Sequence, residues 1–430
     1  MVVVIKKITF LLFFFFYISN NVYASILLDY ETEQFIKKIN NIILSVNNYR
    51  NKIEFSIIFD ENPNAFINES NHLYISSGLI EKAPSYVSLL GVLAHEIGHL
   101  EKYHIPKRKK SIQNLKTLDM LGTLSIIAGT IVSNNPEIIQ ALVVNKIGIN
   151  DFYINFSKDQ EREADYYVID TLNKLNLPPH SLIKLLNMLE EESLKKGMTE
   201  EYQKFSTHPI FKERYQIIKD KKNDKNIKID LKLEDEFNFI KAKFLGYSSE
   251  NESDFKKYLA KPLHNYSRAI LYSKKGDLKG SLLLINELII NNKENYYLYE
   301  TKADILFSHG YKKEAVKFYK KVFNKYPKNK YVQIRIFNNT EEFLISKNEK
   351  NKFFQSNINL LFDFPKNKIL YLKYKNISEA LNKTDWVLFF NIYNIKDSLK
   401  KNEYINKLNY IINNSKEKNL IKLLKIHIKL

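Results

Sequence analysis

The chain has 430 residues, enough for two or three domains with real cores, and no cysteine, which excludes disulfides and thiolate metal sites. Any metal must be held by His, Asp or Glu. The formal charge is +18, but basic residues are spread along the chain rather than gathered in one arm or stripe, and no nucleic-acid motif occurs. The charge therefore reads as compositional bias, with weak attraction to anionic membrane surfaces as a by-product, and nucleic acid is not an expected partner.

The first residues have the shape of a secretory signal peptide. Lys6 and Lys7 precede an apolar run from Ile8 to Ile18, broken only by Thr9, and Val22-Tyr23-Ala24 offers small residues for a cut after Ala24. A retained membrane anchor is the alternative. Its apolar core of 11 residues is short beside the ~20 that a span needs. No cysteine follows for lipid attachment. The mature chain is expected in an exported, periplasmic compartment.

From residue 31 to 49, Phe35, Ile36, Ile39, Ile42, Ile43 and Val46 form a helical stripe. Residues 53–57 alternate as a strand does, and Leu73-Tyr74-Ile75 predicts a second strand. Between them, Asn62-Pro63-Asn64-Ala65-Phe66 reads as a turn leading into a short extended piece. A small sheet thus precedes the next helix, an α+β arrangement.

That helix carries His95-Glu96-Ile97-Gly98-His99 within an apolar run of helical spacing. Positions i and i+4 share a helix face, so the two imidazoles can grip one ion, with Glu96 beside it as the base that takes a proton from a metal-activated water. A zinc site of this kind needs a third protein ligand and an open position. Residues 106–117 are basic and polar. The uncharged stretch 120–136 reads as an apolar hairpin or lid near the site; a membrane span is the alternative, for which its 17 residues are marginal.

Ser157-Lys158-Asp159-Gln160 resembles a capping box and predicts a helix start. On that helix Glu161 and Asp165 share a face, able to offer one carboxylate to a metal and the other to a histidine behind it. A second helix runs through Leu182, Ile183, Leu186 and Leu189 to a Gly197 cap. Thr207-His208-Pro209 and Arg214 follow. Residues 216–260 are polar enough to read as a linker plus a charged helix. Beyond them Gly276 and Gly310 stand 34 residues apart, the period of tetratricopeptide repeats, each inside a helix-turn-helix pattern. A degenerate third unit ends at Phe364-Pro365, and the amphipathic helices from Trp386 to Leu430 fall off the pattern, as capping repeats do.

Taken together, Val92 to His99, Glu161 to Asp165, and Thr207-His208-Pro209 with Arg214 resemble the gluzincin zinc metallopeptidases of the HtpX and Oma type. Asn64-Ala65-Phe66 and Ser77-Gly78-Leu79 match that family's strand region. Two departures stand out. Asn68-Glu69-Ser70-Asn71 replaces the family's Pro-Gly-Gly-like turn, and Lys102 and Ile105 occupy the positions where a metzincin would need Gly and a third His. The resemblance implies a zincin-like α+β protease domain over 25–230, after a signal peptide over 1–24. A linker or charged helix over 231–260 and an all-α tetratricopeptide-repeat solenoid over 261–430 would follow. It implies one zinc ion held by His95, His99 and Glu161, with Glu96 as general base. Asp165 would orient a ligand histidine or donate a proton. His208 would stabilise the oxyanion or occupy the fourth position as an inhibitory ligand. Arg214 is a further candidate for the oxyanion, and Asn64, Ala65 and Phe66 for binding a substrate strand. The implied activity is endoproteolysis of misfolded or stalled outer-membrane proteins, with assembly machinery bound by the repeats; the alternative is a chaperone-like assembly factor whose protease site is latent.

Overall fold

The computed structural model describes residues 23–68, 70–102, 147–148, 158–195, 214, 216–218, 228–340, 346–365 and 367–429. The expected signal peptide up to residue 22, the apolar stretch 120–136 and His208 lie outside them.

Five strands form one sheet in the order β3-β4-β2-β1-β5. They are Tyr23–Leu27 (β1), Glu54–Phe59 (β2), Ala65–Ile67 (β3), His72–Ser76 (β4) and Ile147–Gly148 (β5). β2 and β4 run parallel, and the other neighbours are antiparallel. The two outermost pairings were not readable from the chain. β1 begins inside the expected signal peptide: Tyr23 and Ala24 pair with β5, whereas Ser25 to Leu27 pair with β2. A cut after Ala24 would keep only the second set.

The turn between β3 and β4 has a local explanation. Asn71 sits at φ 58°, which asparagine tolerates because its short amide bonds locally. Asn68 Oδ1 accepts from the amides of Ser70 and His72, and the Asn71 amide donates to the Asn68 carbonyl. Two asparagines thus make this turn without proline or glycine.

Helix Tyr30–Val46 (α1) buries Phe35, Ile36, Ile39 and Ile43, the stripe read from the sequence. Ser77–Lys82 (α2) follows β4 directly. Tyr86–Glu101 (α3) starts at a Ser85–Ser88 capping box and is buried along nearly its whole length. Lys158–Lys174 (α4) and His180–Lys195 (α5) pack on α3.

The region read as a linker is different. Leu231–Ser248 (α6) buries Phe237, Ile240, Phe244 and Leu245 in one continuous core, which runs from Leu27 in the sheet to Ile336 in the helical region. Composition hid this because two of the helix's lysines are buried too. Lys243 Nζ meets Asp29 at 2.6 Å and Glu31 at 2.8 Å, and Lys241 Nζ donates to the Ala83 carbonyl. A lysine stem can line a core when its ammonium has partners.

Everything C-terminal to α6 is helical among the described residues. His264–Lys274 (α8), after the short Glu252–Lys256 (α7), pairs with Leu278–Asn291 (α9) across Gly276. Tyr297–Ser308 (α10) pairs with Lys312–Lys325 (α11) across Gly310. The two glycines have φ +87° and +85°, the left-handed conformation that closes a helix. Their turns share one hydrogen-bond pattern at an offset of 34: Asp277 N to Tyr272 O and Tyr311 N to Leu306 O, each 2.9 Å. Lys330–Thr340 (α12) packs on α11, and a second core built on Tyr374, Trp386, Phe389 and Phe390 holds the remaining helices together. No helix among the described residues is long and apolar enough to cross a membrane.

Candidate metal centre

Helices α3 and α4 approach closely because of what their contact lacks. A Cβ on Gly98 would lie 3.2 Å from the Ala164 Cα and 3.1 Å from the Tyr167 Cβ. Glycine facing alanine at this crossing lets one turn of α4 reach the His95–His99 face of α3.

His95 is 3% exposed, His99 0%, Glu161 2% and Glu96 2%, so the group is almost dry. The Nε2 atoms of His95 and His99 stand 3.0 Å apart, and each lies 3.3 Å from an oxygen of Glu161. The two contacts reach different oxygens, Oε2 from His95 and Oε1 from His99. Donors bound at about 2.0–2.2 Å to one tetrahedral ion would stand about 3.3–3.6 Å apart, so the two imidazoles and the carboxylate are spaced nearly as one ion would need. The chemistry fits as well. Two imidazoles and a carboxylate are ligands zinc accepts, and lone pairs turned toward each other in a dry site need a shared cation.

Behind the ring, His95 Nδ1 lies 3.0 Å from Asp165 Oδ1. Arg214 Nη2 also lies 3.0 Å from that nitrogen. A neutral ring can satisfy only one of them. We assign the proton to Nδ1, donating to Asp165, because Nε2 faces His99 and Glu161 and must keep its lone pair to bind an ion. Arg214 then belongs to Asp165: Nε donates to Oδ2 at 3.1 Å and Nη2 to Oδ1 at 3.0 Å, while Nη1 is 3.8 Å from Glu161. Burial alone would raise the Asp165 pKa, but Arg214 and His95 together hold it below the ordinary range. Burial likewise opposes the charge on Arg214, and Asp165, Glu161 and Glu96 outweigh it.

Arg214 thus lies against the back of the centre, not on an open surface where substrate would meet it. Nothing in its spacing from His208 foretold this, because the contact crosses 49 residues to Asp165. Asn64, Ala65 and Phe66 lie at the β3 edge of the sheet, and β3 packs on α3. Ala65 and Phe66 have their side chains engaged already: both are buried, and Phe66 stacks on Tyr74 at 4.9 Å. The Asn64 backbone is committed to Ser76, its N–H donating to Ser76 Oγ and its carbonyl accepting from the Ser76 N–H. What this edge offers a ligand is backbone.

Residues 30–222 match peptidase family M48. The chain is similar to the beta-barrel assembly-enhancing protease of Yersinia pestis, 23% identical over 231 residues, covering 54% of this chain and 47% of that protein. It is 25% identical to the Escherichia coli K12 protein of that name over 175 residues, covering 41% and 35%. A putative counterpart from Vibrio cholerae is 23% identical over 250 residues, covering 54% and 50%. The chain spans about half or less of the length of these relatives. The His95–His99–Glu161 group lies inside the span that matches peptidase family M48, and the chain is similar to the beta-barrel assembly-enhancing proteases.

Proposed function

We propose that the chain is an exported zinc endopeptidase acting on misfolded or stalled outer-membrane proteins. The convergence of three buried donor atoms on one point, beside Glu96, carries this reading. His95, His99 and Glu161 would hold the ion. When bound, zinc acts as a Lewis acid and lowers the pKa of a coordinated water to about 7. Glu96, adjacent to His95 on α3, would take a proton at its carboxylate and later return it to the leaving amine. Asp165 fixes the His95 tautomer, and Arg214 fixes Asp165; both act as positioning residues. A substrate strand would pair with the backbone of residues 64–66 at the sheet edge. His208 is assigned next to the ion by family resemblance, as an aid to the oxyanion or as a plug. The two helix pairs with left-handed glycines support reading the C-terminal region as tetratricopeptide repeats that bind assembly machinery. A periplasmic location rests on the N-terminal signal pattern.

Glu96→Gln is the direct test. Zinc content should stay near one per chain while casein cleavage falls to background. Wild-type cleavage in that variant would remove the mechanism. His208→Ala separates the two roles of that residue, since activity rises if it plugs the site and falls if it assists.

The near-complete burial of the metal group favours a second reading, in which the site is latent and the protein serves mainly as an assembly factor. A cavity of about 950 Å³ between α1, α6 and the start of α10, lined in part by Tyr30, Phe239, Tyr297 and Tyr326, supplies a binding space that no metal-group residue lines. A Glu96→Gln protein that still restores barrel assembly in a deletion strain would favour it.

A further inference from the structure

The basic residues of this chain are not as evenly placed as their order implies. Between residues 312 and 330 there are eight lysines and one glutamate, a net +7 out of the chain's +18. Most of this stretch is α11. That helix buries Ala315, Val316, Tyr319 and Val322 against its partners, keeps Phe318 and Phe323 half-buried against the core, and turns its other residues outward. Lys312, Lys313, Lys317, Lys320, Lys321, Lys325 and Lys328 are all exposed. At about 100° per residue, Lys313, Lys317 and Lys320 fall within about 60° of one another around the axis. Among the described residues, Lys317, Lys320, Lys321, Lys325 and Lys328 make no ion pair, and Lys330, half-buried, is neutralised by Asp363.

Aromatic rings flank this row on the side of α10. Lys321 lies 3.6 Å above the Tyr299 ring, Lys325 5.3 Å from Tyr296, and Lys302 4.3 Å from Phe318. The rings fix where the ammoniums stand. They are covered by those ammoniums, so they offer no open platform on which a base could stack, and a convex helix face is not the groove that single-stranded nucleic acid follows. Nor does the face expose an apolar residue that could anchor a protein partner: among the described residues of α11 every exposed side chain is Lys, Glu or Asn. A row of exposed ammoniums on a convex helix face, with Lys317, Lys320, Lys321, Lys325 and Lys328 in no ion pair among the described residues, is complementary to an extended plane of negative charge.

We propose that the exposed face of α11 is a peripheral docking surface for anionic lipid bilayers, holding the protein at the membrane by charge without insertion. Each lysine near such a surface adds to the attraction, and the attraction fades within a Debye length. The inference does not depend on the peptidase reading, since α11 contributes nothing to the metal group.

The test is co-sedimentation of the purified full chain with vesicles of phosphatidylcholine alone, or of phosphatidylcholine with a quarter phosphatidylglycerol. Binding is expected only to the anionic vesicles, and it should weaken steeply with added salt. The triple variant Lys317→Gln, Lys320→Gln, Lys321→Gln should bind at least about tenfold more weakly. A control removing equal charge elsewhere, Lys400→Gln, Lys401→Gln, Lys416→Gln, should lose less than about twofold. A third variant with arginine at 317, 320 and 321 keeps the charge and should bind like wild type, which separates charge from folding. Equal loss in the first two variants would mean that net charge alone drives binding and would overturn the proposal. So would equal binding to neutral vesicles, loss of binding in the arginine variant, or wild-type protein that ignores anionic vesicles but captures acidic protein or DNA through these lysines.

Discussion

The group around His95 and the junction around Lys243 both bury ionisable side chains, with Lys243, Asp29 and Glu31 at 4%, 6% and 8% exposure. At the junction the charges close on themselves. One ammonium lies between two carboxylates, and Lys243 keeps its proton although burial opposes it, because Asp29 and Glu31 favour the charged form. Deeper in the helical region Asp304 accepts from Tyr319 and Tyr331 and faces Arg335, and Glu300 accepts from Asn329 at 2.7 Å. At the metal group the arrangement differs. Donor atoms of three residues turn toward one point, and Arg214, behind the ring, pairs with Asp165 and lies 3.8 Å from Glu161. Buried charge that finds complements in the fold is architecture; buried charge that faces its own kind is a place for something else.

Removing one donor should break the difference most completely. Glu161→Gln leaves two imidazoles, and zinc measured by elemental analysis should fall from one ion per chain to less than about a tenth. A variant retaining full zinc would mean that the ion is held elsewhere. Lys243→Met attacks the closed network instead. It strands two buried carboxylates and should cost about 3–5 kcal/mol in urea unfolding, with no loss of metal at temperatures where the protein stays folded.

His72 offers a histidine of the closed kind. It is 6% exposed, its Nε2 meets Ser56 Oγ at 2.8 Å, and burial pushes its pKa down to about 4. The unfolded ring titrates near 6.5, so the stability that comes from keeping the ring neutral is complete above that pH. It drains away as pH falls from 6.5 toward 4, by at most about 2–3 kcal/mol. His72→Gln should lack this part of the acid sensitivity in denaturation curves at pH 7 and pH 4.5. An unchanged difference between the two would assign it to other groups. The smallest effect expected is at Arg214. Arg214→Gln should weaken zinc binding about tenfold in chelator competition, with the fold intact and no gain in substrate KM. A raised KM at unchanged zinc affinity would restore Arg214 to the substrate side.

Much of the metal group is legible in the chain because its parts are local. His95 and His99 need only a helix to share a face, and Glu161 and Asp165 need only another. What joins the two helices is the missing side chain at Gly98 against Ala164, a packing fact that no periodicity reports. The same limit hides Arg214, whose partner lies 49 residues away, and β5, whose pairing with β1 crosses more than a hundred residues. The reading of 231–260 as a linker or charged helix did not foresee its buried lysines, for another reason. Lysines mark solvent in most helices, but at 241 and 243 the fold supplies acceptors. The 34-residue spacing, by contrast, is visible because left-handed turns demand glycine in sequence and structure alike.

Helix α6 has two owners. It packs on α1, α2 and α3, and its Lys243 reaches the start of α1, while Ser267 of α8 donates to the Ala242 carbonyl at 2.7 Å. Neither half can be inherited, excised or transplanted with a clean seam at residue 230. Any chimaera that exchanges one half for a foreign counterpart must carry Leu231–Ser248 along and rebuild whichever side it abandons.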